Sequence, residues 1–312
     1  MKKKISIVTP CYNEEAGIRE CYLAVKKLFN EELPEYDYEH LFIDNCSQDK
    51  TASILRAIAA EDKNVKLIIN SRNFGPAHSP YHAMLESTGD AYVSVVADLQ
   101  YPVGLIVDFI RRWEDGADMV LGIRVGMSEA AWLRLARNAY YAIMSKLAHI
   151  EHYHGFSGYC LLSRKALDAI KLLNDPKPYV RGIISEIGFE KTFVEYVQPP
   201  RKHGKSKWGF LDLFDYAILG MVSCSKVPLR VMTVAGLIVS ALSFLVGLAY
   251  MVIKLIYWDS FALGTAPVLI GTFFLASIQL FFLGMLGEYI GVIFDYVRKR
   301  PLVIERERIN FD

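Results

Sequence analysis

The sequence predicts an α/β protein: a mostly parallel sheet with helices on both faces, followed by an interfacial helix and a two-helix transmembrane hairpin. Three observations carry this. Short apolar runs rich in β-branched residues alternate with helical periodicity along the first two-thirds of the chain, the pattern of a parallel sheet built from strand–helix units. Several of those runs end abruptly in a polar cluster, and in such sheets ligands bind beyond the carboxyl ends of the strands. Val231 to Ile253 and Ala266 to Gly287 contain no charged residue, and at about 1.5 Å rise per residue each spans ~33 Å, enough to cross a bilayer.

With 312 residues, 53% of them hydrophobic, and a net charge near +1, the chain can bury a full core and still have apolar residues left over for the membrane. Lys205, Lys207, Lys226 and Arg230 precede the first span and Arg298, Lys299 and Arg300 follow the second, while the connection carries only Lys254 and Asp259. This bias predicts that both ends are cytosolic. The start, MKKKISIVTP, has too short an apolar run for a signal peptide. Five scattered cysteines lack zinc-type spacing and fit a reduced compartment, with no disulfide expected.

In chain order, Ile5–Thr9 reads as a buried strand, and PCYNEE as the loop into a helix with Ile18, Tyr22, Val25 and Phe29 on one face. His40–Ile43 is a second strand ending at Asp44, with a helix from about Lys50. Val65–Ile69 is a third, followed by the loop SRNFG and a helix near Ala77–Ser87. Pro10, Asp44, Arg72 and Asp98 each emerge where a strand ends, which favours one shared site. Gly75 alone implies only a turn.

The stretch VSVVADLQYP, Val93 to Pro102, is the centre of that site. If it is a strand throughout, Val96, Asp98 and Gln100 share one face. A carboxylate and an amide so placed suit Mg²⁺ or Mn²⁺, which take oxygen ligands and leave room for substrate phosphates. The competing reading makes Asp98 the cap of a helix starting near Val103.

Further on, Met119–Gly122 is a strand reaching Arg124, and Glu129–Ile150 a helical run carrying Arg134 and Arg137. His149, His152 and His154 admit a metal site, but without a carboxylate pattern a loop near the site fits them better. Tyr159–Leu162 and Thr192–Gln198 are two more strands. RKHGKSKWG then places Arg201, Lys202, Lys205 and Lys207 in a flexible basic segment, suited to phosphates or to anionic lipid at the membrane surface. Trp208–Val222 has the pattern of an interfacial helix. The predicted organisation is a cytosolic domain over 1–207, an amphipathic helix over 208–226, two membrane helices within 227–297 (about 231–257 and 266–290), and a charged tail over 298–312.

Taken in order, PCYNEE, FIDNCSQDKT, SRNFG, ADLQ, GKSKWG and the two terminal spans resemble the polyprenyl-phosphate glycosyltransferases of family 2, across essentially the whole chain. The resemblance implies a GT-A fold in the bacterial cytoplasmic membrane, transferring a sugar with inversion from a nucleotide-diphosphate donor, UDP-hexose or UDP-N-acetylhexosamine in preference to a GDP-sugar, to polyprenyl phosphate for cell-envelope glycans. It implies that Pro10, Tyr12, Glu14 and Asp44 hold base and ribose with Arg72 near them. Asp98 and Gln100 would ligate Mg²⁺ or Mn²⁺, Arg201 and Lys207 would meet the diphosphate, and Arg124 and Arg137 (with Arg134 competing) the acceptor phosphate. The implied partners are the nucleotide sugar, the lipid acceptor, the membrane and other copies of the chain, a tetramer by resemblance, with no nucleic acid.

The chain departs from the commonest family pattern where Val96 replaces a carboxylate, where Tyr101, Val103 and Gly104 flank Pro102, and where SGYC surrounds Ser157 and Gly158. These departures leave a catalytically inactive nucleotide-binding scaffold as the alternative. A processive polysaccharide synthase would need more spans and a Gln-x-x-Arg-Trp motif, and a flippase would need a wider membrane pathway. Deleting Val231 to the C-terminus is expected to leave donor binding largely intact while abolishing lipid glycosylation.

Overall fold

A computed structural model describes residues 2–126, 153, 155–200, 220, 222, 226–257, 265–298 and 300–311. Strands β1 (Lys4–Cys11), β2 (Asp37–Asp44), β3 (Val65–Asn70) and β4 (Ala91–Ser94) alternate with helices α1 (Ile18–Glu31), α2 (Thr51–Glu61) and α3 (Gly75–Glu86). Then come α4 (Leu105–Glu114), β5 (Met119–Val125), β6 (Phe156–Ser163), α5 (Arg164–Leu173), α6 (Val180–Glu186) and β7 (Lys191–Val197). The long helices α7 (Val227–Ile256) and α8 (Thr265–Arg298) precede a last strand, β8 (Glu305–Ile309).

These strands form one sheet in the order β7-β5-β6-β4-β1-β2-β3-β8. The pairs β1/β2, β1/β4, β2/β3 and β5/β7 are parallel, whereas β6 opposes β4 and β5, and β8 opposes β3. The carboxyl ends of β1 to β5 and β7 therefore share one edge with the first residues of β6 and β8. Among the described residues, that edge carries the polar stretches that follow β1, β2, β3 and β4, together with Arg124 at the end of β5.

Side-chain alternation divides the core between the two faces. Ile5, Ile7 and Val93 pack with Val25 and Phe29 of α1 and Phe109 of α4, while Val8, Leu41, Ile43 and Ile68 pack with Tyr81 of α3 and Leu167 of α5. Ile18, Tyr22, Val25 and Phe29 of α1 are all buried, as their spacing predicts. Beneath the sheet, Glu39 accepts from Ser6 Oγ at 2.6 Å and from the Thr88 amide at 2.7 Å. Lys4 and Lys66 Nζ lie 2.7 and 2.9 Å from its other oxygen. A buried carboxylate is tolerable only with such a set of partners.

Two expectations are corrected here. β4 ends at Ser94, so Asp98 and Gln100 do not alternate along a strand; Leu99, at φ 56°, turns the chain between them. The C-terminal residues are also more than a charged tail. β8 adds antiparallel to β3 and is held by side-chain pairs, with Arg56 Nη2 2.6 Å from Glu307, His82 Nε2 2.6 Å from Glu305, and Arg308 Nη1 2.8 Å from Glu86. Charge alternating along ERERI hides a strand whose side chains pair with polar groups of both α2 and α3.

Both α7 and α8 are long and apolar enough to cross a membrane, and their apolar side chains are almost entirely uncovered by the rest of the protein. A core helix of a soluble protein would be covered.

Candidate active site

The loops after β1 and β2 are stitched together by side chains that replace backbone partners. Asn13, in a left-handed conformation at φ 54°, donates its amide to Ser47 Oγ at 2.9 Å and accepts the Gln48 amide at 2.8 Å. The Glu14 amide donates to Thr51 Oγ1 at 2.8 Å. Asp44 is fully buried and accepts from the Ser47 amide at 3.0 Å and from the Ser47 hydroxyl. Burial pushes its carboxyl up, against those hydrogen bonds. Tyr12 and Glu14 are half-buried at the rim, and Pro10 lies in β1 opposite Ile43.

Asn45, which sequence reasoning passed over, joins this loop to the next. Its Oδ1 accepts from Asn70 Nδ2 at 3.0 Å and from the Phe74 amide at 2.9 Å, while its Nδ2 donates to Asn73 Oδ1 at 2.9 Å and Gly75 O at 3.1 Å. Gly75 takes φ 86°, which a side chain would oppose, so the turn requires it. Arg72 is exposed, with its guanidinium 4.0 Å above the Phe74 ring. The only sequence signal for Asn45 was its place after Asp44; its partners lie 25 to 30 positions away.

Asp98 sits in the turn after β4, nearly buried, with Oδ1 accepting the Gln100 amide at 3.1 Å. It does not cap α4, whose N-cap is Gly104 with no side-chain cap bond. The turn is fastened to β6 by aromatic residues: Tyr101 stacks on Tyr159 with centroids 4.5 Å apart, and the Tyr159 hydroxyl donates to Pro102 O at 2.7 Å. Tyr101 Oη donates to Ser157 O at 3.0 Å, where Gly158 opens the backbone at φ 103°. Tyr101 thus packs against SGYC through its ring and hydroxyl, with no carboxylate in these contacts.

Arg124, at the end of β5, pairs in register with Tyr196 of β7, and its Nη1 donates to Gln198 Oε1 at 2.5 Å. Its Nε is buried without a hydrogen-bond partner among the described residues. The Tyr196 hydroxyl lies 2.8 Å from Ser157 Oγ, and Arg181 Nη2 donates to Ser157 O at 3.3 Å. Arg134, Arg137, His149, His152, His154, Arg201 and Lys207, with most of the expected interfacial helix, lie outside the described residues.

The structure therefore brings Pro10, Tyr12, Glu14, Asp44, Arg72, Asp98, Gln100 and Arg124 to one edge of the sheet. Asp98 and Gln100 offer hard oxygen donors suited to Mg²⁺ or Mn²⁺, but no group of three His, Cys, Asp or Glu forms a metal cage among the described residues. Such an incomplete donor set fits a cation whose remaining positions are filled by a diphosphate and water.

A mostly parallel sheet with helices on both faces, and an acidic turn where its fourth strand ends, is the architecture of a GT-A-type domain. Residues 6–171 match the family model for glycosyl transferase family 2. The chain is 36% identical to the bactoprenol glucosyl transferase of Shigella phage SfX, covering 98% of this chain and 99% of that one. It is 33% identical to the uncharacterized glycosyltransferase YkcC of Bacillus subtilis, covering 98% and 94%. Among solved structures, the mannosyltransferase PcManGT of Pyrobaculum calidifontis, in complex with GDP-Man and Mn²⁺, aligns with a TM-score of 0.44 at 17% identity over 96% of this chain and 89% of that one. The chain belongs to glycosyltransferase family 2, and it is a glycosyltransferase.

Proposed function

We propose that the protein transfers a hexose, with inversion, from a UDP-sugar to the phosphate of a polyprenyl phosphate in the bacterial cytoplasmic membrane, with the sheet domain on the cytosolic side. The observation that carries this is where the membrane helices rejoin the domain. After α8 the chain enters the sheet at the edge that holds Asp98 and Arg124: Ile304 O accepts the Ser71 amide at 2.8 Å, and Glu305 pairs with Asn70 at the end of β3. An acceptor whose tail stays in the bilayer and whose phosphate sits at its surface meets the site only if the site faces the membrane. The full-length relation to a protein named bactoprenol glucosyl transferase supports this acceptor and favours glucose.

A phosphate acceptor is already ionised near neutral pH, so no general base is required. Its oxygen forms the bond to the anomeric carbon as the bond from that carbon to the diphosphate breaks, and UDP departs with the electron pair. Arg124 and Arg137 orient the acceptor phosphate, Arg201 and Lys207 meet the donor diphosphate, and Pro10, Tyr12, Glu14 and Arg72 line the nucleoside end. Asp44, closed on Ser47, shapes that end from beneath. Asp98 and Gln100 would hold Mg²⁺ or Mn²⁺, which when bound supplies neutralising charge to the leaving diphosphate.

The test is to incubate the purified full chain with undecaprenyl phosphate, Mg²⁺ or Mn²⁺ and a panel of UDP- and GDP-sugars, and to analyse the lipid extract by mass spectrometry. One glycosylated lipid, formed from UDP-glucose, is expected. Nucleotide binding with no lipid product from any donor or polyprenyl acceptor would replace this reading with that of an inactive scaffold.

A further inference from the structure

The end of α5 is fastened to a membrane helix. α5 starts at the far edge of the sheet, where Arg164 Nε donates to the carbonyl of Gly89, just before β4, at 2.9 Å. From there it climbs along α3 toward the edge that holds the candidate site. Tyr81 Oη, midway along α3, donates to Ile170 O at 3.4 Å, and His78 Nε2, in the first turn of α3, lies 3.2 Å from Pro176 O. One residue further, Lys177 Nζ lies 2.9 Å from Asp295 Oδ2 of α8.

That ion pair sets the level of this segment against the membrane. Asp295 lies eight residues beyond the uncharged stretch that ends at Gly287, about 12 Å along the helix. Around it α8 exposes Ile293, Phe294 and Val297 beside Arg298, and apolar, aromatic and basic groups together mark a helix end in the headgroup layer. Leu172 and Leu173, five and four positions before Lys177, lie no more than about 18 Å from it.

α5 buries Ala166, Leu167 and Ile170, yet Leu172 is 86% exposed and Leu173 44%. A single exposed leucine calls for no explanation. Two in succession, at the site edge and tied to a membrane helix, form a surface continuous with the bilayer. Lys171, also exposed, brings a cation to the same place, as anionic headgroups favour.

We propose that Leu172 and Leu173 insert into the boundary between headgroups and acyl chains, making the end of α5 a membrane contact of the sheet domain in addition to α7 and α8. This rests on the reading of α7 and α8 as membrane spans with the site edge toward the bilayer. The leucines leave water for the lipid while Lys171 stays among the headgroups. A domain so attached away from its helices is restrained from tilting, and its site edge stays at the height of a lipid phosphate.

The test reconstitutes the full chain into vesicles of phosphatidylcholine and phosphatidylglycerol in equal parts, with and without bromine on the acyl chains. Tryptophan emission of Leu172→Trp, Leu245→Trp and Asp115→Trp is compared with that of the unmodified protein, since bromine quenches an indole held beside it. Leu245, midway along α7, reports whether that helix lies in the bilayer, and Asp115, just after α4 at the far edge of the sheet, reports quenching without membrane contact. The emission added by Leu172→Trp is expected at shorter wavelength than that of Asp115→Trp and to be lost in part in brominated vesicles, while that of Asp115→Trp is kept. Emission from Leu172→Trp that is as long in wavelength and as unquenched as that of Asp115→Trp overturns the proposal. Emission at shorter wavelength that bromine leaves unquenched also overturns it, in favour of a contact between copies of the chain. Unquenched Leu245→Trp would instead overturn the reading on which the proposal rests. Leu173→Trp keeps the test available if Leu172→Trp does not fold.

Discussion

The Tyr101 hydroxyl donates to the Ser157 carbonyl at 3.0 Å, joining the turn that bears Asp98 and Gln100 to the first residues of β6. No carboxylate takes part in these contacts: the turn is positioned by stacking on Tyr159 and by hydroxyl-to-carbonyl bonds. A neutral clamp of this kind leaves Asp98 as the acidic group of its own turn.

Tyr101→Phe retains the ring stack and removes one hydrogen bond. The expected cost is about 1 kcal/mol, which lowers the melting temperature by about 2–4 °C. Tyr101→Ala also vacates a large aromatic volume and should cost about 3–5 kcal/mol. Thermal unfolding in detergent, followed by circular dichroism, compares the two; equal losses would remove the stack from the account.

Glu39 sets an acid limit on the fold. Burial would raise its carboxyl, but Lys4, Ser6, Lys66 and the Thr88 amide outweigh that and hold it at about 2 against 4.5 when unfolded. A lowered carboxylate contributes stability that is complete above about pH 4.5 and is lost as pH falls toward 2, on the order of 3 kcal/mol in all. His40, buried and held neutral by that burial at about 3, adds a loss that begins below pH 6.5. Glu39→Gln should be less stable than the unmodified protein at pH 7 and show a flatter decline between pH 4.5 and 2, measured by denaturation across that range.

Removing residues 301–312 while keeping both membrane helices strips β8 from β3. The Arg56–Glu307, His82–Glu305 and Arg308–Glu86 pairs go with it, and the backbone edge of β3 becomes open to other chains. The two arginine pairs, open to solvent, contribute only about 0–1 kcal/mol each, so the lost strand should dominate. A lower melting temperature and larger species in size-exclusion chromatography are expected, and an unchanged profile would contradict the role given to β8. For the same reason, deleting Val231 to the C-terminus is now expected to weaken donor binding by damaging the sheet, rather than to leave it largely intact.

Much of the fold was legible because burial is periodic. Ile18, Tyr22, Val25 and Phe29 declare one helix face, and the apolar runs declare buried strands within two residues of the ends of β1 and β3, whereas β2 begins three residues before His40, at Asp37. What escaped depends on contacts between distant positions. ERERI has no apolar face to announce a strand, because its partners are the charges of α2 and α3. VSVVADLQ looks continuous, yet the chain leaves the sheet after Ser94, whose hydroxyl donates to Gly158 O at 2.7 Å, and turns at Leu99. Asn45 and Arg181 reach backbone carbonyls 30 and 24 positions away, which no local spacing reveals.

The most direct measurement is turnover of UDP-glucose and undecaprenyl phosphate by the full chain and by Asp98→Asn, at limiting and at saturating Mg²⁺ or Mn²⁺. The account predicts that Asp98→Asn folds with an unchanged melting profile and loses about 10²–10³-fold in kcat, the scale of removing a transition-state charge stabiliser. Full turnover by Asp98→Asn at limiting metal would contradict it.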